Sequence, residues 1–414
     1  IQNMTCIVKI TSFLCLISWF VSICDASAQC EVSADGSSDP ACSESASAIQ
    51  CENDQWVSQN GTVPGYHVLC ITRDATTNAL TIEFFREAIA TPQSSGQYIS
   101  SASDMKSLRL ELERILKIKN TDESRSQHQE ELDKPNAWTI FSPKGTRIVD
   151  FDLCVGTLLV FEGGVWIYPA IHIGFARSVE ITDEQGEHTT FTLTTLSVHP
   201  PVFQVFNFIR DADCDHIVAI SEKHMKVSGV SHMHNTAGNA DQWRTSTTHW
   251  LRTRDDITRR IEQHCSKLLR VPQKNQELIQ VLRYEPTQQY DSHWDYFDPG
   301  MYRGTEMERK IRGGRNRMAT LFWYMSDVMD GGWTYFPRSG LLPNPPSYKL
   351  KKVSDCEKGG LLVEPRKGAV ILFYSMKPNG EVDPLSLHGA CPVGEGNVKW
   401  GANIWYWTKE ANIY

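Results

Sequence analysis

The chain has 414 residues, 41% hydrophobic and 22% charged, an ordinary balance for a folded globular protein. That length is long for a single domain and favours at least two folded parts. A formal net charge of −8 argues against a nucleic-acid partner, and neither heptads nor internal repeats are evident.

At the start of the chain, Lys9 precedes an apolar run from Ile10 to Cys24, followed by Asp25-Ala-Ser-Ala28. The run has the size of a signal-peptide core with a small-x-small exit after Ala28, and it is short for a membrane span. Residues 1–28 are therefore expected to be a signal peptide. An uncleaved signal anchor, and with it membrane attachment, is the alternative. Cysteine usage agrees with a secretory route. Of 12 cysteines, Cys6, Cys15 and Cys24 fall in that segment. Cys30, Cys42, Cys51 and Cys70 cluster in a Ser/Ala/Asp-rich stretch that reads as disulfide-stapled. The cysteines outside the signal are odd in number, so one thiol is expected to be free or intermolecular, leaving a disulfide-linked or non-covalent partner open. Asn60-Gly-Thr62 is a glycosylation sequon, usable in the endoplasmic reticulum or Golgi lumen or on a secreted protein. Ending on Tyr414 without a lumenal retrieval tetrapeptide, the chain is expected to need a partner or an anchor to reside in the endoplasmic reticulum.

Leu108, Leu112 and Ile115 at helical spacing predict an amphipathic helix from Ser103 to Lys119, and Asn120 to Asn136 reads as a polar linker. From Trp138 to Val198 the pattern turns β, with a hairpin expected at Gly163-Gly164. The chain thus divides into 1–28, a Cys-containing region over 29–136, a β-rich module over 137–196, and a domain over 197–414. The two middle parts carry no legible chemistry; substrate binding, partner binding and capping of the last domain all stay open.

The last domain opens with a strand near Val202 to Phe208 and a helix from about Asp211, where Asp can cap free N–H groups. A second helix, from Asp255, places Ile257, Ile261, Cys265 and Leu268 or Leu269 on one face. Cys214 and Cys265 then lie on helices expected to pack together. Strands dominate afterwards. Val281 to Tyr284 leads into a stretch reaching Phe297 that contains His293-Trp-Asp295. His388 lies between the β-rich runs Gly368 to Tyr374 and Trp400 to Trp407, and Lys399 follows it. Two imidazoles and one carboxylate on one face of a metal leave the opposite positions open for cosubstrate and O2, the pattern of non-haem Fe(II) oxygenases. Paired strands would bring these ligands together at a barrel mouth, with aromatics at 284, 290, 294, 296 and 297 as an apolar wall. With 13 histidines in the chain the bare pattern is common; ordinary barrel histidines and a surface lysine are the alternatives. Asp291 and Asp298 read as turn or surface carboxylates, and His232 and His234 as solvated. Tyr302 to Arg317, with six basic residues, reads equally as a lid over a groove or a solvated loop. Cys356 and Cys391 are candidates to pair.

Over about 197–409 the chain resembles the catalytic domain of the prolyl 4-hydroxylases, which are Fe(II)- and 2-oxoglutarate-dependent dioxygenases. The resemblance is carried, in order, by Arg244-Thr-Ser246, Arg283 through Phe297, Arg317 through Val328, Gly331 through Pro337, Pro365 through Pro378 and Asp383 through Gly389. It implies an α+β fold built on a double-stranded β-helix, or jelly-roll, barrel with packing helices. By position it implies His293, Asp295 and His388 as iron ligands. Lys399 would pair with the distal carboxylate of 2-oxoglutarate, with Tyr284 and Thr320 hydrogen-bonding the same cosubstrate. A buried dianion needs a fixed positive partner, and lysine donates directly to a carboxylate. Tyr290 and Trp405 match positions near the substrate proline, and Arg244 a peptide-contacting region. The implied reaction is hydroxylation of peptidyl proline to 4-hydroxyproline with O2, releasing succinate and CO2, with L-ascorbate as reductant. The implied substrate is a Pro-rich segment, whose polyproline II form is pre-organised for threading through a groove. The alternatives are the same chemistry on another side chain or a small molecule, and an inactive binding or scaffold subunit. Trp333 stands where the family has Glu, and Thr287 where it has Gly. These departures are expected to affect loop shape and substrate range, and not iron binding.

Overall fold

The computed structural model describes residues 51, 55–58, 61–118, 137–184, 186–229, 243–340 and 350–411. The expected signal segment, Cys30, Cys42, Asn60, the polar linker and the two loop histidines, His232 and His234, lie outside the described residues. Among the described residues no helix is long and apolar enough to cross a membrane. Residues Cys51–Tyr414 form one compact unit.

The first sheet contains β1 (Tyr66–Arg73), β2 (Leu80–Phe85), β3 (Ser95–Ser100), β4 (Thr139–Phe141), β5 (Arg147–Ile148) and β6 (Gly156–Phe161), in the order β3-β2-β1-β6-β4-β5. Alternation along β1 buries both of its faces. Leu69 and Ile71 pack under helix α1 (Met105–Leu116) with Leu108, Leu112, Leu116 and the partly buried Ile115. Tyr66 and Val68 point the other way, into the main core. Asp104 caps α1 by accepting the Ser107 N–H at 2.7 Å.

Strand pairing crosses the boundaries expected at 136/137 and 196/197. β1 pairs with β6, so the Cys-containing region and the β-rich stretch share one sheet. β7 (Ala176–Thr182) and β8 (His188–Ser197) instead extend the sheet of the last domain, because β8 pairs with β9 (Val202–Val205). The Gly163-Gly164 turn forms, but no hairpin follows it. Gly163 N–H donates to the carbonyl of Pro378, and a Cβ at Gly163 would lie 2.6 Å from the Gly380 nitrogen. The chain then buries Trp166, Ile167 and Tyr168 in the main core without strand pairing.

The remaining strands are β10 (Lys226–Val227), β11 (Thr247–Trp250), β12 (Gln280–Tyr284), β13 (Tyr290–His293), β14 (Arg317–Tyr324), β15 (Thr334–Phe336), β16 (Leu361–Val363), β17 (Val370–Tyr374), β18 (His388–Ala390) and β19 (Lys399–Trp407). They complete a nine-stranded sheet, β10-β11-β12-β19-β14-β17-β9-β8-β7, and a four-stranded sheet, β13-β18-β15-β16. From β12 onward the chain switches repeatedly between the two sheets, which is jelly-roll connectivity. Their inner faces meet through Tyr324, Phe336, Val363, Ile371 and Phe373.

Helices α2 (Asp211–Ser221) and α3 (Asp256–Leu269) share a core with the large sheet. Ile217, Ile261, Cys265 and Leu268 lie with Phe203, Leu321, Leu372 and Ile404. With its sheet covered on both sides, β19 is buried along its whole length. Asp255 caps α3 through the Thr258 N–H at 2.8 Å. The N-cap of α2 is Arg210, not an aspartate. Asp211 sits in the first turn, while Asp213 is held by Arg210 and Arg260. Cys214 and Cys265 are both buried and free, as is Cys154. Cys356, in the short helix α5 (Val353–Cys356), is bonded to Cys391, and Cys51 is bonded to Cys70.

Candidate metal centre

β13 and β18 are neighbouring antiparallel strands, and their register sets His293 directly opposite His388. Cross-strand neighbours stand close enough for both rings to share one site, and the ring centroids are 4.5 Å apart. Asp295 follows β13 and turns its carboxylate toward both imidazoles, 3.7 Å from His293 Nε2 and 3.4 Å from His388 Nε2. The three candidate ligand atoms lie within 4.8 Å of one another.

Backbone carbonyls fix the imidazole orientation. His293 Nδ1–H donates to the Asp291 carbonyl at 2.9 Å, and His388 Nδ1–H to the Ser386 carbonyl at 3.0 Å. A carbonyl only accepts, so each Nδ1 carries a proton and each Nε2 is the ring atom left facing the other ligands. Burial holds the His293 imidazole well below its ordinary pKa, hence neutral. Burial also pushes the Asp295 carboxyl up, but His388, His293, Arg317 and the Thr320 hydroxyl outweigh it and hold it below its usual range. Two imidazoles and one carboxylate, open on one side, are a donor set for a divalent first-row metal.

The open side is a cavity of about 410 Å³. Lys399, at the start of β19 and opposite Tyr284 of β12, is fully buried in its wall. Its Nζ has no hydrogen-bond partner among the described residues and sits 5.2–5.5 Å from the ring centroids of Tyr284, Phe322 and Tyr324. Burial pulls its pKa down to about 7. A buried ammonium without a counter-charge is costly, and this one faces a void large enough for a small dianion. Donor triad and orphaned cation together fit a metal with an acidic cosubstrate.

Every residue expected at the site lines this cavity: His293, Asp295, His388, Lys399, Tyr284, Thr320, Tyr290, Trp405 and Arg244. Thr320 departs from expectation in one respect, since its hydroxyl donates to Asp295 Oδ2 at 2.6 Å. Tyr290 stacks on the His293 ring at 3.7 Å, and the Arg244 guanidinium lies 4.7 Å from the Tyr290 ring. Burial pushes the Tyr290 phenol up to about 12 and raises that of Tyr284 as well. Trp405 stacks under the Arg317 guanidinium at 3.6 Å.

Other expectations are corrected. Asp291 is buried, not superficial, and accepts the Leu350 N–H at 2.8 Å; Asp298 does make a turn, accepting from Gly300. The basic segment is partly docked: helix α4 (Glu306–Ile311) buries Ile311 beside Phe297 and Trp407, and Met307 and Tyr302 reach the cavity. Trp333 faces away from the cavity and packs near the Cys356–Cys391 bond with Tyr335 and Leu350. Thr287 has φ +68°, a conformation that suits the glycine it replaces.

Sequence reading overlooked Glu277 and Arg317. Arg317 grips Glu277 at 2.6 and 2.9 Å, and its Nη1 reaches the Asp295 carbonyl at 3.4 Å. Glu277 also accepts from the Trp407 indole at 2.7 Å. No local pattern announces this pair, because Glu277 precedes β12 while Arg317 opens β14.

Residues 279–407 match the model of the 2OG-Fe(II) oxygenase superfamily. The chain is 37% identical to "Probable prolyl 4-hydroxylase 3" of Arabidopsis thaliana over 220 residues, covering 53% of this chain and 73% of that protein. It is 36% identical to "Probable prolyl 4-hydroxylase 8" of the same plant over 232 residues, covering 56% of this chain and 76% of the other. A solved viral collagen prolyl hydroxylase from Paramecium Bursaria Chlorella virus-1 aligns at 24% identity and a TM-score of 0.35 over 50% of this chain and 95% of its own, too loose to argue from. The triad, the buried lysine and these relatives agree: the chain belongs to the prolyl 4-hydroxylase family of 2-oxoglutarate- and Fe(II)-dependent oxygenases.

Proposed function

We propose that this chain hydroxylates peptidyl proline to 4-hydroxyproline within Pro-rich segments, consuming O2 and 2-oxoglutarate. The observation that carries the reading is the buried Lys399 ammonium, unpartnered among the described residues, in the same cavity as His293, Asp295 and His388. Proline as the substrate rests on the activity named for the relatives.

Ferrous iron and 2-oxoglutarate, when bound, supply the activation of O2 and the insertion of one oxygen atom into a C–H bond. The protein's own part is positional. His293 and His388 present lone pairs whose direction is set by their Nδ1–H bonds to backbone carbonyls. Thr320 and Arg317 hold Asp295 by its carboxylate and its carbonyl. Lys399 neutralises the far carboxylate of the cosubstrate, beside Tyr284. Tyr290, Trp405 and Arg244 form the wall on which a pyrrolidine ring and its peptide would lie. A scaffold subunit would require neither an open donor triad nor a buried cation without a counter-ion.

Ascorbate as reductant and residence in the secretory pathway belong to the same proposal. The Cys51–Cys70 and Cys356–Cys391 bonds support an oxidising compartment. The test is incubation with Fe(II), 2-oxoglutarate, ascorbate and Pro-rich peptides, read by peptide mass. One oxygen gained on proline, and lost with Asp295→Ala, is the expected result. An unmodified peptide despite 2-oxoglutarate consumption would remove proline as the substrate.

A further inference from the structure

Among the described residues, three buried side-chain nitrogens without hydrogen-bond partners line the same cavity: Lys399 Nζ, Asn403 Nδ2 and Trp405 Nε1. All three lie on β19 at odd positions, and alternate residues of a strand share a face. Lys399 is accounted for by the cosubstrate and Trp405 by the wall beside the target proline. Asn403 has no role so far. It is only 3% exposed, and its strand neighbours Gln280 on β12 and Phe322 on β14 line the cavity too. An amide donor buried without an acceptor is destabilising. A position retaining that cost inside a binding cavity is best explained by an acceptor that arrives with a ligand.

The chemistry of the ligand points to which acceptor. Proline has no backbone N–H, so a Pro-rich chain in polyproline II form offers a row of carbonyl oxygens and almost no donors. A site that reads such a chain through hydrogen bonds must supply donors. We propose that Asn403 is a substrate-positioning residue whose Nδ2–H donates to a main-chain carbonyl of the bound peptide next to the target proline. This rests on the peptidyl-proline reading above. Lys399 already serves the anionic cosubstrate from the start of the strand, and Asn403 stands between it and Trp405.

The test compares wild type, Asn403→Leu, which is close in shape and lacks the donor, and Asn403→Ser, which keeps a smaller donor. The probes are 2-oxoglutarate and one Pro-rich peptide, with folding of each variant checked by its thermal midpoint. The expected result is a rise in KM for the peptide of about tenfold in Asn403→Leu and about threefold in Asn403→Ser, as expected for one lost or weakened hydrogen bond. KM for 2-oxoglutarate should stay within about twofold. An unchanged peptide KM, equal losses in both variants, or a parallel rise in KM for 2-oxoglutarate would overturn the assignment. If wild type consumes 2-oxoglutarate but never modifies the peptide, the parent reading fails and this inference falls with it. Wild-type turnover with an unaffected Asn403→Leu variant would sink the inference alone.

Discussion

Lys399 illustrates how one residue ties burial to function. With its pKa pulled to about 7, it is protonated below that pH in the cosubstrate-free protein and increasingly neutral above it. Pairing with a carboxylate requires the charged form. Binding therefore takes up a proton above pH 7, and affinity falls as pH rises. Between pH 7 and 8.5 the 2-oxoglutarate Kd should weaken about tenfold, measured by anaerobic calorimetry on the iron-loaded protein. In Lys399→Met binding should be weak throughout, without this pH slope. A wild-type Kd independent of pH would separate Lys399 from the cosubstrate. A second residue makes a stability prediction. Thr287 is exposed and carries φ +68° at a turn where its N–H bonds the Val393 carbonyl. A left-handed conformation costs an ordinary residue about 1–2 kcal/mol, while glycine loses more backbone entropy on folding, roughly 0.5–1 kcal/mol. Thr287→Gly should thus raise stability by up to about 1 kcal/mol in denaturant titration. A loss would show that the Thr side chain contributes something the backbone conformation hides.

At the level of elements, the site is held by strands joined through side chains as well as by their ladders. Glu277, just before β12, is almost fully buried, and its only cationic partner among the described residues is Arg317 at the head of β14. Arg317 also covers Trp405 on β19 and touches the carbonyl of Asp295. Arg317→Met keeps an unbranched side chain but leaves Glu277 uncompensated, so stability should fall by about 3 kcal/mol. Loss of the Asp295 contact should weaken Fe(II) binding as well, seen by equilibrium dialysis. Unchanged stability would mean that the Glu277–Arg317 pair contributes nothing to folding. The candidate metal ligands were legible because a His-x-Asp pair is local and their strands announce themselves by apolar runs. Glu277–Arg317 was not legible, since its partners meet only because β12 and β14 both pair with β19. The cap of α3 was legible, since Asp255 stands directly before the periodic face. That of α2 was misread, because the helix begins at Asp211 itself and leaves Arg210 as the N-cap.

On the scale of the whole molecule, the first sheet supports the barrel and lends the site nothing: among the described residues the cavity is lined only from Gly229 onward. Its core is nonetheless continuous with that of the last domain, since Tyr66, Phe161 and Trp166 cluster with Phe203 and Leu321. The domain boundaries expected from composition fell at polar stretches and changes of pattern. β-Pairing ignores such marks, because β1 finds β6 across a helix and a linker, and β8 finds β9 across a short turn. Jelly-roll connectivity was legible only through the family resemblance, as nothing local in a strand says which sheet it joins. The central claim is that one cavity couples cosubstrate breakdown to hydroxylation of a peptide. The most direct measurement is the ratio of succinate released to hydroxyproline formed, with Fe(II), 2-oxoglutarate and a Pro-rich peptide. One succinate per hydroxyproline is expected, with both products absent in Asp295→Ala. Succinate without hydroxyproline across a set of Pro-rich peptides, or hydroxyproline that survives Asp295→Ala, would contradict it.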